Sequence, residues 1–380
     1  MKIALASLLL CLSAGCASTH APRPATAPLF DDRHFAAPSE RIDAQEIFAV
    51  SEEMRRYVRV DIGRQLEDKG WQAGLVDALY KPGQLRLQYD SEMTRTAAQA
   101  FEARSGNCLS LVIMTAALAR ELGLAVHFRR VFSDDAWSLV GEFQVASNHV
   151  NVTLAGKQND PRVLFRDRDR EQLTIDFMPP ARGRAYRGYT ITEATVAAMF
   201  MNNRAAEALA KGRTDDAYWW ARASIGHDAS FLAAYNTLAV VYKRKGLLAE
   251  ADRALAHVLD REPANTFAMS NRVLVLQGLG RATDAQALSL RLARLQPQPP
   301  FHFYDRGRAA MRAGDYATAR ELFTREIERD AEYHEFHYWL AAAHYALGEA
   351  AEARRHMAIA LRNSTTRHDR DLYAAKLDRM

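Results

Sequence analysis

Cys108 is the residue of this chain placed for covalent chemistry. It follows the turn sequence Ser105-Gly106-Asn107 and opens a run in which Leu109, Val112, Ile113, Ala116, Leu118 and Leu122 recur at helical spacing before Gly123. The spacing predicts a helix over Leu109 to Leu122, with Cys108 at its N-terminus. There the unpaired backbone N–H groups and the helix dipole favour a thiolate, the form in which sulfur is a nucleophile. Ahead of the turn, the alanines of Thr96 to Arg104 suit a short helix that the Ser-Gly pair ends. Beyond Gly123 the chain alternates as strands do over Leu124 to Phe132, Gly141 to Val145, Asn148 to Leu154 and Leu173 to Phe177. The third of these carries His149 and the last carries Asp176.

A cysteine on a helix followed by antiparallel strands bearing His and then Asp resembles the transglutaminase-like superfamily, circularly rearranged relatives of the papain-like enzymes. The likeness rests on Ser105-Gly106-Asn107-Cys108 with the helix end Ala119-Arg120-Glu121-Leu122-Gly123-Leu124, on Asn148-His149-Val150, and on Thr174-Ile175-Asp176. It implies an α+β domain over residues 41–190, a Cys-bearing helix packed on an antiparallel sheet, with Cys108, His149 and Asp176 as triad. In that triad His149 withdraws the thiol proton and returns it to a leaving amine, while Asp176 fixes the imidazole tautomer and steadies its positive charge. Attack on an amide gives an oxyanion, for which the backbone N–H of Cys108 is the first donor. The thioester then goes to water, giving hydrolysis or deamidation, or to an amine, giving a cross-link. Each residue also has a plainer reading. A buried cysteine is a small hydrophobe, His149 an ordinary strand histidine with His127 as its nearest rival, and Asp176 a turn cap before Met178-Pro179-Pro180. Asp160, Asp167 and Asp169 lie in the polar stretch Gly156 to Gln172, which reads as an exposed loop or lid.

The N-terminus explains why an unpaired thiol needs a reason. Lys2, the apolar run Ile3 to Leu12 and the small residues before Cys16 describe an export signal, too short to span a bilayer. Ser13-Ala14-Gly15-Cys16 resembles a bacterial lipobox, which implies a signal peptide over residues 1–16, lipidation at Cys16 and anchorage to a membrane. Ala17 after the cysteine resembles the sorting pattern for the outer membrane, so the expected location is the cell envelope, facing the periplasm. Residues 17–40, with Pro22, Pro24, Pro28 and Pro38, read as a flexible tether. Of the three cysteines, Cys11 goes with the signal and Cys16 is acylated, leaving Cys108 without a disulfide partner in an oxidising compartment. The earlier part of the domain is read as a helical segment from Ile42 to Leu66 and a strand or extended approach from Tyr80 to Tyr89.

The second half is periodic. Gly212, Gly246, Gly280, Gly314 and Gly348 recur every 34 residues, and each is followed five residues later by Ala217, Ala251, Ala285, Ala319 or Ala353. Glycine permits the left-handed turn that ends a first helix, and alanine lets a second helix lie close against it. Tyr235, Leu238, Ala239, Tyr242, Gly246, Ala251, Leu255 and Pro263 resemble the tetratricopeptide repeat pattern nearly completely. The resemblance implies an all-α superhelix of about five repeats over residues 198–365 and a capping helix over 366–380. Arg204, Arg272 and Arg306 stand where the pattern prefers Leu, so those helices are expected to be shifted or their guanidinium groups to snorkel to water. Such repeats bury their apolar faces only by stacking, which generates a concave groove. Groove residues are expected at Asn202, Asn236, Ser270, Tyr304 and Tyr338, for a protein or peptide partner.

Other chemistries lack their motifs. There is no CxxC, no His-Glu-x-x-His and no phosphate-binding glycine loop, and no cofactor is implied. The 50 basic and 46 acidic residues are spread along the chain without a polybasic run, which speaks against nucleic acid. Two functions remain: an envelope lipoprotein whose thiol domain acts on amide bonds while the repeats recruit a substrate or partner, or a scaffold in which a transglutaminase-like domain has become structural and the repeats carry the function.

Overall fold

The computed structural model describes residues 29–81, 85–132, 137–140, 143–146, 149–157, 172–177 and 187–380. Cys11, Cys16, Asn148, Asp160, Asp167, Asp169 and Met178-Pro179-Pro180 lie outside the described residues, as does the start of the expected tether.

The N-terminal unit begins with three short helices, α1 (Glu52–Arg56), α2 (Gly63–Lys69) and α3 (Trp71–Tyr80). The helical segment expected from Ile42 to Leu66 begins only at Glu52 and is broken into α1, a widened turn and the start of α2. Ser51 caps α1 by accepting from the Met54 N–H, and a widened turn over Tyr57–Asp61 separates α1 from α2. Residues before the cap run irregularly through the core, where Ile47 is buried and its carbonyl accepts from Ala97 N–H. Among the described residues between Tyr80 and Tyr89 only β1 (Gln88–Tyr89) is strand, paired in parallel with β2 (Ser105–Gly106).

Helix α4 (Ala97–Ala103) opens with a reciprocal capping box between Thr96 and Gln99. It ends at Arg104, which takes the left-handed conformation (φ 50°), rather than at the Ser-Gly pair. Helix α5 (Cys108–Glu121) buries every side chain from Leu109 to Ala119. It packs on β3 (Leu124–Phe132) and β6 (His149–Lys157). Strands β4 (Trp137–Val140) and β5 (Phe143–Ala146) form a separate antiparallel hairpin. With β7 (Leu173–Ile175) and β8 (Arg187–Ile191), β3 and β6 make an antiparallel sheet of order β7-β6-β3-β8. Strand β8 had no place in the sequence reading; it completes the sheet beside β3.

The helix pairs then follow as α6 (Glu193–Ala210) with α7 (Thr214–His227), α8 (Leu232–Arg244) with α9 (Leu248–Arg261), α10 (Thr266–Gly278) with α11 (Ala282–Leu295), α12 (His302–Ala313) with α13 (Tyr316–Arg329), and α14 (His334–Ala346) with α15 (Ala350–Asn363). The last element is α16 (Arg367–Leu377). All five periodic glycines have φ between 72° and 81°, the left-handed turn expected of them. The five periodic alanines are buried at the helix contacts. One apolar cluster runs from the N-terminal unit through α10, and two smaller ones occupy α12 to α16. Among the described residues no helix is long and apolar enough to cross a membrane.

Residues 29–40 do not stand apart as a tether. Phe35 stacks on Tyr218 with ring centroids 3.8 Å apart, Tyr242 donates to the Leu29 carbonyl, and Ser39 binds the Asp216 carboxylate through both N–H and hydroxyl. The segment is a strap along the first repeats, held by aromatic residues that a solvated tether would not need.

Candidate functional site

The thiol is positioned from both sides of its turn. Asn107 caps α5, its Oδ1 accepting from the Ser110 N–H (2.9 Å) and hydroxyl (2.8 Å). Its amide nitrogen donates to Thr94 Oγ1 at 2.8 Å, and Ser110 Oγ accepts from the Arg95 N–H. A Cβ on Gly106 would come within 2.6 Å of Ser110 Cβ, so only glycine lets the turn close against the helix it introduces. Cys108 therefore enters α5 as its first residue, half-buried, at the positive end of the helix dipole.

The support reaches into the array. Thr94 N–H donates to Glu207 on α6, and Arg204 pairs with both Glu207 and Glu40 of the strap. Arg204 neither shifts its helix nor snorkels, because two carboxylates and the Trp220 ring surround it. Arg272 is likewise paired, with Asp252. Burial pushes the Glu207 carboxyl up, opposed by its bonds to Thr94.

Strands β6 and β7 bring the other two residues in. Their register sets Val152 opposite Ile175, which puts Asp176 on the face shared by Asn151 and His149. His149 is buried, and its Nε2 lies 2.6 Å from Asp176 Oδ1. With Nε2 on the carboxylate, Nδ1 is the ring's other buried nitrogen. Burial disfavours the imidazolium, yet hydrogen bonds to Asp176 and Cys108 and the charges on both outweigh it and hold His149 at about 9. The rival His127, on β3, is opposite Thr153 in the sheet and not next to the thiol in sequence or register. The arrangement thus assembles a thiol at a helix N-terminus, an imidazolium and an orienting carboxylate, the parts of a nucleophilic centre.

One residue was missed. Tyr89 is half-buried beside Cys108; burial, then the neighbouring thiol, pushes the phenol up, and the Cys108 N–H opposes them. That N–H is the expected oxyanion donor, and the Tyr89 phenol is its neighbour. The parallel pairing of Tyr89 with Gly106 puts it there, and nothing local in the sequence announces so short a ladder.

The predicted groove residues are mostly structural. Asn202 and Asn236 are buried, Asn236 accepting from Asn271 at 3.0 Å. Tyr304 is buried and donates to Glu335, Tyr338 stacks on Tyr373 of α16, and Ser270 is half-buried. The β4–β5 hairpin lies against α6, α8 and α10, the first helices of three pairs. Ser91 of the N-terminal unit also donates twice to the Thr365 carbonyl at the far end of the array.

Residues 304–367 match the tetratricopeptide repeat family. The C-terminal part of the chain is made of tetratricopeptide repeats, and repeats of this kind generally mediate protein–protein interaction. No curated protein matches the chain. Solved structures similar to it include a thermophilic TPR protein of Thermus thermophilus, 19% identical with TM-score 0.30, covering 47% of this chain and 98% of that one. Others are MamA from Desulfovibrio magneticus RS-1, 16% identical over 44% and 94% with TM-score 0.26, and a tetratricopeptide repeat protein from Parabacteroides merdae, 18% identical over 43% and 65% with TM-score 0.26.

Proposed function

We propose that this protein is a tetratricopeptide scaffold that also holds, in its N-terminal α+β unit, a Cys108–His149–Asp176 thiol centre acting on amide bonds. The observation that carries the chemical half is the His149–Asp176 contact of 2.6 Å beside a cysteine at a helix N-terminus. In this reading Cys108 attacks the carbonyl and its own N–H binds the oxyanion. His149 Nδ1 hands a proton to the departing amine as the C–N bond breaks, leaving a thioester for water or a second amine to resolve. The transglutaminase-like resemblance is consistent with that chemistry. The test is amide-bond cleavage or transfer by the wild-type protein and its loss in Cys108→Ser with the circular dichroism spectrum retained; full activity in Cys108→Ser refutes it.

A second reading, a scaffold without chemistry, is favoured by the family match, which covers repeats alone. It expects Cys108→Ala to leave cellular function intact. For the location we propose a lipid anchor at Cys16 on the periplasmic side of the outer membrane, tested by metabolic labelling with palmitate. Label retained in Cys16→Ser counts against it.

A further inference from the structure

The fifth helix pair departs from the other four at three positions in its own interior. His337 stands where the preceding pairs have Met201, Tyr235, Met269 and Phe303; His344 where they have Ala208, Tyr242, Leu276 and Ala310; His356 where they have Trp220, Ala254, Leu288 and Leu322. Twelve apolar residues are matched by three histidines in one pair. Replacing apolar contacts with imidazoles weakens a helix interface unless the nitrogens are used.

Their hydrogen bonds fix which nitrogen carries each proton. His337 Nε2 faces the Ala331 carbonyl at 2.9 Å and must donate, so its Nδ1 accepts. His356 Nδ1, 3.0 Å from that atom, is then the donor, and His356 Nε2 keeps the lone pair that can accept. Arg355 Nη2, which can only donate, lies 3.3 Å from the same Nε2 and agrees with this. His344 Nδ1 donates to Glu349, leaving its own Nε2 bare. A carboxylate behind a histidine is the arrangement that orients a metal ligand. One donor atom each of His344, His356 and Glu352 lies within 4.8 Å of the others, and the two imidazole rings are parallel to within 3°. Arg355 also binds Glu352 at 2.8 Å, so an exposed guanidinium already bridges the carboxylate and the imidazole.

We propose that His344, His356 and Glu352 form a binding site for zinc or a similar divalent transition metal, which ties α14 to α15 and keeps a fourth position open. Two imidazoles and a carboxylate are a donor set such metals accept, and the Arg355 guanidinium is the cation they displace. His337 and Glu349 position the two imidazoles through their outer nitrogens.

The test is titration of Zn(II), and of Co(II) followed by its visible absorption, into EDTA-treated, untagged full-length protein. All proteins carry Cys11→Ser, Cys16→Ser and Cys108→Ser, so that no thiol can supply a competing ligand. One equivalent is expected to bind without sulfur charge-transfer absorption. His344→Ala and Glu352→Gln, which leave the buried His337–His356 pair intact, should abolish it. Glu349→Gln should weaken it about ten-fold, and Arg355→Ala should tighten it. Absence of binding in the parent protein, binding confined to Arg355→Ala, or binding untouched by His344→Ala and Glu352→Gln would overturn the site.

Discussion

Replacing Asp176 with Asn tests the thiol centre most directly, because it removes a charge and keeps the shape. His149 is buried, and burial alone would pull it below the ordinary 6.5; it is held at about 9 by Asp176 and Cys108 together. A move from 6.5 to about 9 corresponds to roughly 3 kcal/mol of preference for the imidazolium. With Asp176 neutralised, His149 should titrate near or below 6.5. At pH 7.5 its charged fraction would fall from nearly all to about a tenth. Two assays follow. Hydrogen exchange at the imidazole C2, read by mass spectrometry, gives the titration itself. Iodoacetamide alkylation of a soluble form beginning at Ala17, in which Cys108 is the sole thiol, gives the consequence: the wild type should react well below neutral pH, and Asp176→Asn at least about ten-fold more slowly there. Stability carries the same signature. The folded value lies above the unfolded one, so the imidazolium's contribution is fully present below about 6.5 and is lost as pH rises through about 9. The stability difference between wild type and Asp176→Asn should therefore shrink across that window. A His149 titration unmoved by the substitution, or an alkylation profile identical to that of the wild type, would refute the assignment of Asp176.

Gly106→Ala should destabilise the fold by about 1–3 kcal/mol and slow alkylation, since the new methyl meets Ser110 at 2.6 Å; thermal melts check the first effect. Glu207→Ala leaves the Thr94 N–H without its acceptor and Arg204 short of one carboxylate. A loss of about 1–3 kcal/mol in urea unfolding is expected, with slower alkylation although the residue is in the array. Tyr89→Phe removes the phenol hydroxyl neighbouring the Cys108 N–H, and faster turnover of a small amide substrate is expected because a competing acceptor is gone; unchanged turnover argues that the hydroxyl does not compete for that donor. Phe35→Ala should loosen the strap at a cost of about 3–5 kcal/mol if the ring is fully lost from its stack. Faster proteolysis within residues 29–40, with the repeats intact, is the readout.

What the sequence determined by itself is local and periodic. The 34-residue recurrence of glycine and alanine defines the helix pairs, because a left-handed turn and a close helix crossing each demand one residue type at one place. The start of α5 at Cys108 and the full extent of β3 were equally legible, since apolar spacing and a turn sequence act over neighbouring residues. The tertiary structure decided everything that depends on partners far apart in the chain. Residues 29–40 looked like a tether because prolines and small residues oppose regular hydrogen bonding. They are ordered by Tyr218 and Tyr242, some two hundred residues away. Asn202, Asn236 and Tyr304 were expected to face a groove on helical phase alone, and are buried by neighbouring helices instead. Tyr89 joined the thiol only through a two-residue parallel ladder. The meeting of His149 with Asp176 required the β6–β7 register, which no pattern in a single strand specifies.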